Sequence, residues 1–243
     1  MGLVWIVLAL GLGGILKGAT GAGAPVVAVP IIALIYDVPT AVTVLMAPNL
    51  LSNVWQGWSH RAHLLQPGFV ARFAGGGAVG AVLGTWMLAS FSSSLLTTLT
   101  GIVVWLYIAL RLARPGWRLG AAAAGSLALP VGVVAGALQG AAGVSAPVSM
   151  GFLNAMRLER AAFVATISVF FMAMTLVQIP ALVLAGLMGW ERMALSLAAM
   201  VPILLCMPLG AWLARRLSAA FFDRVILALL GLIGLRLIAD AFI

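Results

Sequence analysis

Long apolar runs broken by short polar or glycine-rich punctuation dominate this chain. Hydropathy and helix breakers predict a broken segment over 3–35, helices near 40–58, 67–90 and 93–113, and a basic linker, RPGWRLG, at 114–120. A second broken segment follows over 121–156, then helices near 160–188, 193–213 and 219–240. Several runs reach the roughly 20 residues that a helix needs to cross a bilayer core. A membrane β-barrel would instead alternate apolar and polar residues in segments of about ten, which this chain does not do. The pattern predicts an all-α integral membrane protein.

The two broken segments read alike: GILKGATGAGAPVVAVP at 14–30 and ALQGAAGVSAPVSMGF at 137–152. A shift of 122 lays Leu16, Gly18, Ala19, Gly21, Ala24 and Pro25 on Leu138, Gly140, Ala141, Gly143, Ala146 and Pro147. The same shift pairs Gln56 with Gln178 and Asp37 with Glu159. Gly84 and Trp86 match Gly210 and Trp212 at a shift of 126. Such self-similarity predicts an internal duplication, with 1–113 as the first repeat, 114–120 as the linker and 121–243 as the second repeat.

Arginine placement predicts the relative orientation of the copies. Arg61 and Arg72 follow the second segment of copy one, whereas the matching junction of copy two has Arg192 beside Glu191. The next junction reverses this, with SFSSSL in copy one against Arg215, Arg216 and Arg224 in copy two. If each broken segment enters and leaves by one face, ten arginines fall on one side and two on the other; if each crosses once, the split is seven against five. Cytoplasmic loops carry the excess of basic residues, which favours the first arrangement. It predicts two inverted-topology repeats, each a broken or re-entrant element plus three transmembrane helices, with both termini outside the cytoplasm.

A continuous helix over 3–35 would be about 50 Å long, against a hydrocarbon core of about 30 Å. Gly18, Gly21, Gly23 and Pro25 favour unwinding, by backbone freedom and by a missing donor. Unwound backbone survives at membrane depth only inside protein or along a wet cavity. Two half-helix N-termini facing each other near the midplane would present free amides and positive dipole ends, a setting suited to a small anion. Lys17, the only lysine, sits at the first break and has Gln139 as its repeat mate. Three readings of Lys17 stand open: a counter-charge for substrate, a side chain snorkelling to the interface, or an internal ion pair with Asp37 or another carboxylate. Backbone donors at Gly18, Thr20, Gly21, Gly140 and Gly143 would bind substrate oxygens, and Thr20, Gln56, Ser145 and Gln178 would add side-chain hydrogen bonds.

Thr166 and Ser168 are further polar residues inside spans. Asn49, Asn53 and Gln56 follow i, i+4, i+7 spacing, so they share one helix face and are candidates for the same site. Interhelical glue is the alternative for each of these polar residues. Asp37 and Glu159 lie closest to the breaks among the acids, either as a proton relay or as loop caps.

Composition narrows the function class. The chain is 64% hydrophobic and 7% charged, where a soluble domain carries roughly 25% charged residues. The net charge of +8 comes from arginines at segment ends rather than from a basic soluble face, so no nucleic-acid partner is expected. Cys206 reads as a small packing residue. His60 and His63 lack nearby carboxylate or thiolate partners, so no metal site is expected. No Ser/His/Asp set, paired carboxylates or phosphate loop suggests an enzyme, and no cofactor is implied. Gly76, Gly80 and Gly84 make a seam for close helix packing, and Trp58, Trp117 and Trp190 read as interfacial anchors. MGLVWIVLALGLGG has no basic n-region, so no cleavable signal peptide is expected.

The stretches GLGGILKGATGAGAPVVAVPIIAL and PTAVTVLMAPNLLSNVWQGWSHR, with their second-copy counterparts GALQGAAGVSAPVSMGFLNAM and LERAAFVATISVFFMAMTLVQ, resemble the sulfite exporter TauE/SafE family, also called the toluene sulfonate uptake permease family. The likeness spans nearly the whole chain. It implies a secondary transporter of the bacterial inner membrane for sulfur-containing or other small organic anions, with the glycine-rich breaks as the substrate site. The first break reads KGATGAG where the family pattern is dominated by glycine, so Lys17 and Thr20 mark a distinct substrate or subfamily. Proton coupling and a homo-oligomer stay open, as do two rival functions, an anion channel and a non-transporting membrane scaffold.

Overall fold

The computed structural model describes residues 2–21, 24–113, 118–216 and 219–240. Gly23 and Trp117, the latter with the first part of the basic linker, lie outside them. Among the described residues there is no strand, and twelve α-helices follow one another. In chain order they are α1 (Gly2–Thr20), α2 (Ala24–Ile35), α3 (Val38–Val44), α4 (Met46–Ser59), α5 (Pro67–Ser90), α6 (Ser93–Ala113), α7 (Ala121–Ala142), α8 (Ala146–Ala155), α9 (Arg160–Leu184), α10 (Trp190–Ala198), α11 (Met200–Arg216) and α12 (Ala219–Asp240). Among the described residues, five stretches are long and apolar enough to cross a membrane: 67–90, 93–110, 121–142, 160–184 and 190–216.

Both broken segments break, and by the same local chemistry. Gly21 (φ 81°) and Gly143 (φ 69°) adopt the left-handed conformation that ends a helix, which glycine reaches without a Cβ clash. Their amides donate back to Lys17 O at 2.7 Å and Gln139 O at 2.9 Å. Ala24-Pro25 and Ala146-Pro147 then start α2 and α8, proline in the first turn giving up an N–H that has no helical partner there. The unwound stretch is shorter than expected, because α1 continues through Thr20.

The chain turns back at each break. A Cβ on Gly13 would lie 2.9 Å from Ala24 O and 3.3 Å from Ala28 Cβ, so α2 returns alongside α1. Leu119 N–H donates to Ala155 O at 2.8 Å, which brings the end of α8 to the start of α7.

Two helices expected to be continuous are interrupted. The 40–58 segment divides at Leu45 and the 193–213 segment at Ala199. Pro48 and Pro202 explain where: each lacks the N–H that would bond the carbonyl four residues earlier, at Val44 and Ala198. The two interruptions meet, since Ala47 N–H in the first turn of α4 donates to the buried Ser196 Oγ on α10 at 2.9 Å.

Glycine seams fix the remaining packing. α5 lies against α7, with Gly76, Gly80 and Gly84 facing the backbone of Leu129, Val133 and Ala137, while Gly132, Gly136 and Gly140 face Phe73, Gly77 and Ala81. Residue numbers rise together on the two helices, so they run parallel. α1 and α11 repeat the arrangement, with Gly14 and Gly18 on the backbone of Ile203 and Met207, and Gly210 on that of Ile15. α4 crosses α9 antiparallel, Asn49 meeting Thr175 and Gly57 meeting Ser168. α6 packs on α12, α2 on α12 and α8 on α6. Trp58 and Trp190 are exposed.

The seams give a direct test. Gly80→Ala places a methyl group against the backbone carbonyl of Val133, which cannot move aside, so a loss of about 1–3 kcal/mol is expected. Gly75→Ala, one turn away with nothing within 4 Å, is expected to be neutral or slightly stabilising. Thermal unfolding in detergent should therefore show a lowered Tm for the first variant only.

Candidate functional site

Lys17 lies in the last turn of α1, where a cation complements the negative end of the helix dipole. Its side chain is 2% exposed, and its Nζ donates to Asn53 Oδ1 on α4 at 3.1 Å. The snorkelling reading is thereby overturned: the ammonium stays inside. The ion pair with Asp37 is overturned too, since the Asp37 carboxylate accepts the Thr40 N–H at the start of α3. Glu159 precedes α9, exposed and without a side-chain capping bond.

From Asn53 a chain of polar contacts runs onward. Asn53 Nδ2 donates to Asn49 O at 2.7 Å and to Asn49 Oδ1 at 2.8 Å. Asn49 Nδ2 donates to Thr175 Oγ1 on α9 at 3.1 Å, and Thr175 Oγ1 donates to Phe171 O at 2.8 Å. The i, i+4 spacing of Asn49 and Asn53 thus does what one shared helix face allows. Ser52, beside them, donates to Pro48 O.

A narrow cavity, too tight to admit a water molecule in this conformation, lies beside this chain, lined by Lys17, Ala24, Pro25, Leu45, Pro48, Asn49, Ser52 and Ile203. None of these eight residues is acidic. An ammonium and the N-terminal end of α2 face the same space, so its electrostatics favour negative charge.

The expected backbone donors are corrected by the structure. Gly21 and Gly143 use their amides to close α1 and α7. Gly18, Thr20 and Gly140 lie within helices, and Gly18 and Gly140 press against the backbones of Met207 and Ala81. Helix α1 runs further than a break at residue 17 would permit, so these backbone groups are engaged within helices; the helix end that borders the cavity is the start of α2, at Ala24 and Pro25. Thr20 Oγ1 donates to Leu16 O at 2.8 Å.

The second break stands apart from the cavity. Gly143 packs against Val29 and Val42, while Gly21 packs against Val164. Gln139 is buried with its Oε1 unpartnered, and the buried Ser145 Oγ accepts from Ser149 Oγ at 3.3 Å. Gln56 and Gln178 are both buried but lie towards opposite ends of the antiparallel α4–α9 crossing. Sequence reasoning missed Thr175, Ser52 and Ser196. A signal existed for Thr175: the shift of 122 that pairs Gln56 with Gln178 carries Asn53 onto Thr175.

The family model for the sulfite exporter TauE/SafE family matches residues 6–237. The chain belongs to the TauE/SafE family. That family is one of membrane-integral transporters, and the match covers both broken segments and the Lys17 cavity of this TauE/SafE protein. No curated protein and no solved structure gives a significant match.

The Lys17–Asn53 contact can be weighed by a double-mutant cycle. Asn53→Ala strips the ammonium of its acceptor and is expected to cost about 1–3 kcal/mol. Lys17→Met, which removes the buried charge, is expected to cost less, and the double variant less than the sum, with a coupling of about 0.5–3 kcal/mol. Unfolding midpoints in detergent supply the four corners of the cycle.

Proposed function

We propose that this protein is a secondary transporter that moves a small sulfur-containing anion, such as sulfite, thiosulfate or an organosulfonate, across the bacterial plasma membrane by alternating access of two inverted repeats. The observation that carries this reading is the only lysine of the chain, buried beside a cavity that no acidic residue lines. A buried ammonium whose one hydrogen-bond partner among the described residues is a neutral amide leaves positive charge uncompensated. An anion entering from either face supplies that charge; the α2 N-terminus and the Asn49 and Ser52 side chains would surround it.

The repeat arrangement is supported by the contact pattern. Exchanging α1 with α7, α2 with α8, α3–α4 with α9, α5 with α10–α11 and α6 with α12 maps the main helix pairs onto one another. The α1–α11 pair becomes the α7–α5 pair, and α2–α12 becomes α8–α6. The antiparallel crossing of α4 with its counterpart α9 supports inversion. Gly21 against Val164 and Gly143 against Val42 are related by the same shift of 122. Inverted repeats with interrupted helices are a recurrent design of secondary transporters.

Purified protein in liposomes should exchange labelled sulfite or thiosulfate across the membrane and show counterflow, which separates a transporter from a channel. Lys17→Met should weaken anion binding about 10- to 100-fold, the loss of one charge-assisted contact. Wild-type exchange by that variant, in a monodisperse preparation, would remove Lys17 from the mechanism.

A further inference from the structure

The α4–α9 crossing contains more polar groups than its own bonds satisfy. Its centre is complete, with Lys17, Asn53, Asn49 and Thr175 joined in one chain. Its two ends are not. Towards the N-terminal end of α9, Thr166 Oγ1, Ser168 Oγ and Gln56 Oε1 are buried without a partner. Towards the other end, both Gln178 Nε2 and Gln178 Oε1 are buried without one. Thr166, Ser168 and Gln178 are at most 1% exposed, and Gln56 is 6% exposed.

Besides these, Gln139 Oε1 on α7 is the one other buried polar side-chain atom without a partner among the described residues. Hydroxyls on helices usually bond the carbonyl one turn back, and Ser52, Thr85, Thr100 and Thr175 all do so. Thr166 and Ser168 do not. Interhelical glue leaves paired groups, as Asn49 and Thr175 are paired, whereas neither polar atom of the Gln178 side chain has a partner among the described residues. Each unpartnered buried group costs about 1–3 kcal/mol, and lipid supplies no compensation. Water or substrate oxygen is what relieves such a cost.

We infer that the α4–α9 crossing is the anion's route through the protein, with a hydrated vestibule at Gln56 and Ser168 on one side and another at Gln178 on the other, the bonded Lys17–Asn53–Asn49–Thr175 chain forming the barrier between them; Thr166, two residues from Ser168, faces the other side of α9. Gln178 Nε2 and the Ser168 hydroxyl are donors suited to anion oxygens; Gln56 Oε1 is an acceptor suited to water. Ser168 and Gln178 are separated by about 15 Å along α9, which spans half of a hydrocarbon core of about 30 Å. The first vestibule opens towards the face bearing Arg61 and Arg160, since the 61–63 turn packs on α9. The second opens towards the Trp190–Arg192 face. This inference rests on the transport reading above but concerns the path rather than the Lys17 site.

Cysteine labelling tests it, because Cys206 is the only native cysteine. In a Cys206→Ser or Cys206→Ala background, Gln56→Cys, Ser168→Cys and Gln178→Cys are exposed to the impermeant anion sulfonatoethyl methanethiosulfonate from each side of oriented vesicles. Ile167→Cys, buried in apolar surroundings, is the control. Labelling of Gln56→Cys and Ser168→Cys from one side, and of Gln178→Cys from the other, is the expected result. Labelling of all three no faster than Ile167→Cys overturns the route, as does wild-type exchange by both Gln56→Met and Gln178→Met. Unlabelled cysteines with Lys17→Met inactive would sink the route and keep the site; labelled cysteines with Lys17→Met active would do the reverse.

Discussion

An ammonium inside a membrane protein, held by one amide oxygen, is the constraint around which this molecule is organised. Lys17 needs the C-terminal end of α1 behind it and the Asn53 carbonyl in front of it. That carbonyl is itself aimed by Asn49, because Asn53 Nδ2 is anchored on Asn49 O and Oδ1. Thr175 in turn holds Asn49 from α9. Positioning one cation therefore requires α1, α4 and α9 in a single register. Among the described residues no carboxylate meets the ammonium, so dipoles alone solvate the charge.

Register of this kind needs helices that cannot slide, and glycine supplies it. Along α5–α7 and α1–α11 the backbones touch directly, so a shift of either helix would drive Cα atoms into carbonyl oxygens. Packing by small residues suits a bilayer, where burying apolar side chains between helices gains little over leaving them in lipid. These pairs form stiff units. The proline interruptions at Leu45 and Ala199 are joined to each other by the Ala47 N–H to Ser196 Oγ bond. Stiff pairs around an interrupted, polar centre are compatible with rocking of one half against the other.

Much of the fold was legible in the chain because its signals are local. The break positions follow from Gly21 and Gly143, which end helices, and from Pro25 and Pro147, which begin them. The spans follow from apolar length. The interruption at Leu45 is also written locally, in Pro48, but hydropathy runs through it because Leu45 and Met46 are as apolar as their neighbours. The site was legible only in part. Lys17, Asn49 and Asn53 stood out as polar groups in an apolar run, whereas Gly18 and Gly140 looked like substrate donors although they are contact points between helices. Nothing local separates those two uses of glycine, since both require the same absent side chain.

Taken alone, the sequence determined an all-helical membrane protein, two glycine-proline breaks, a duplicated pattern and a lone lysine at the first break. Each of these depends on properties of one residue and its immediate neighbours: a permitted φ, a missing N–H, a hydrophobic length, a charge. Tertiary structure decided that Lys17 meets Asn53 and not Asp37, that Thr175 completes the chain, and that Gln56 and Gln178 stand towards opposite ends of one crossing. Those pairings join groups 36 and 126 residues apart. They are set by the crossing geometry of packed helices, which no single segment contains.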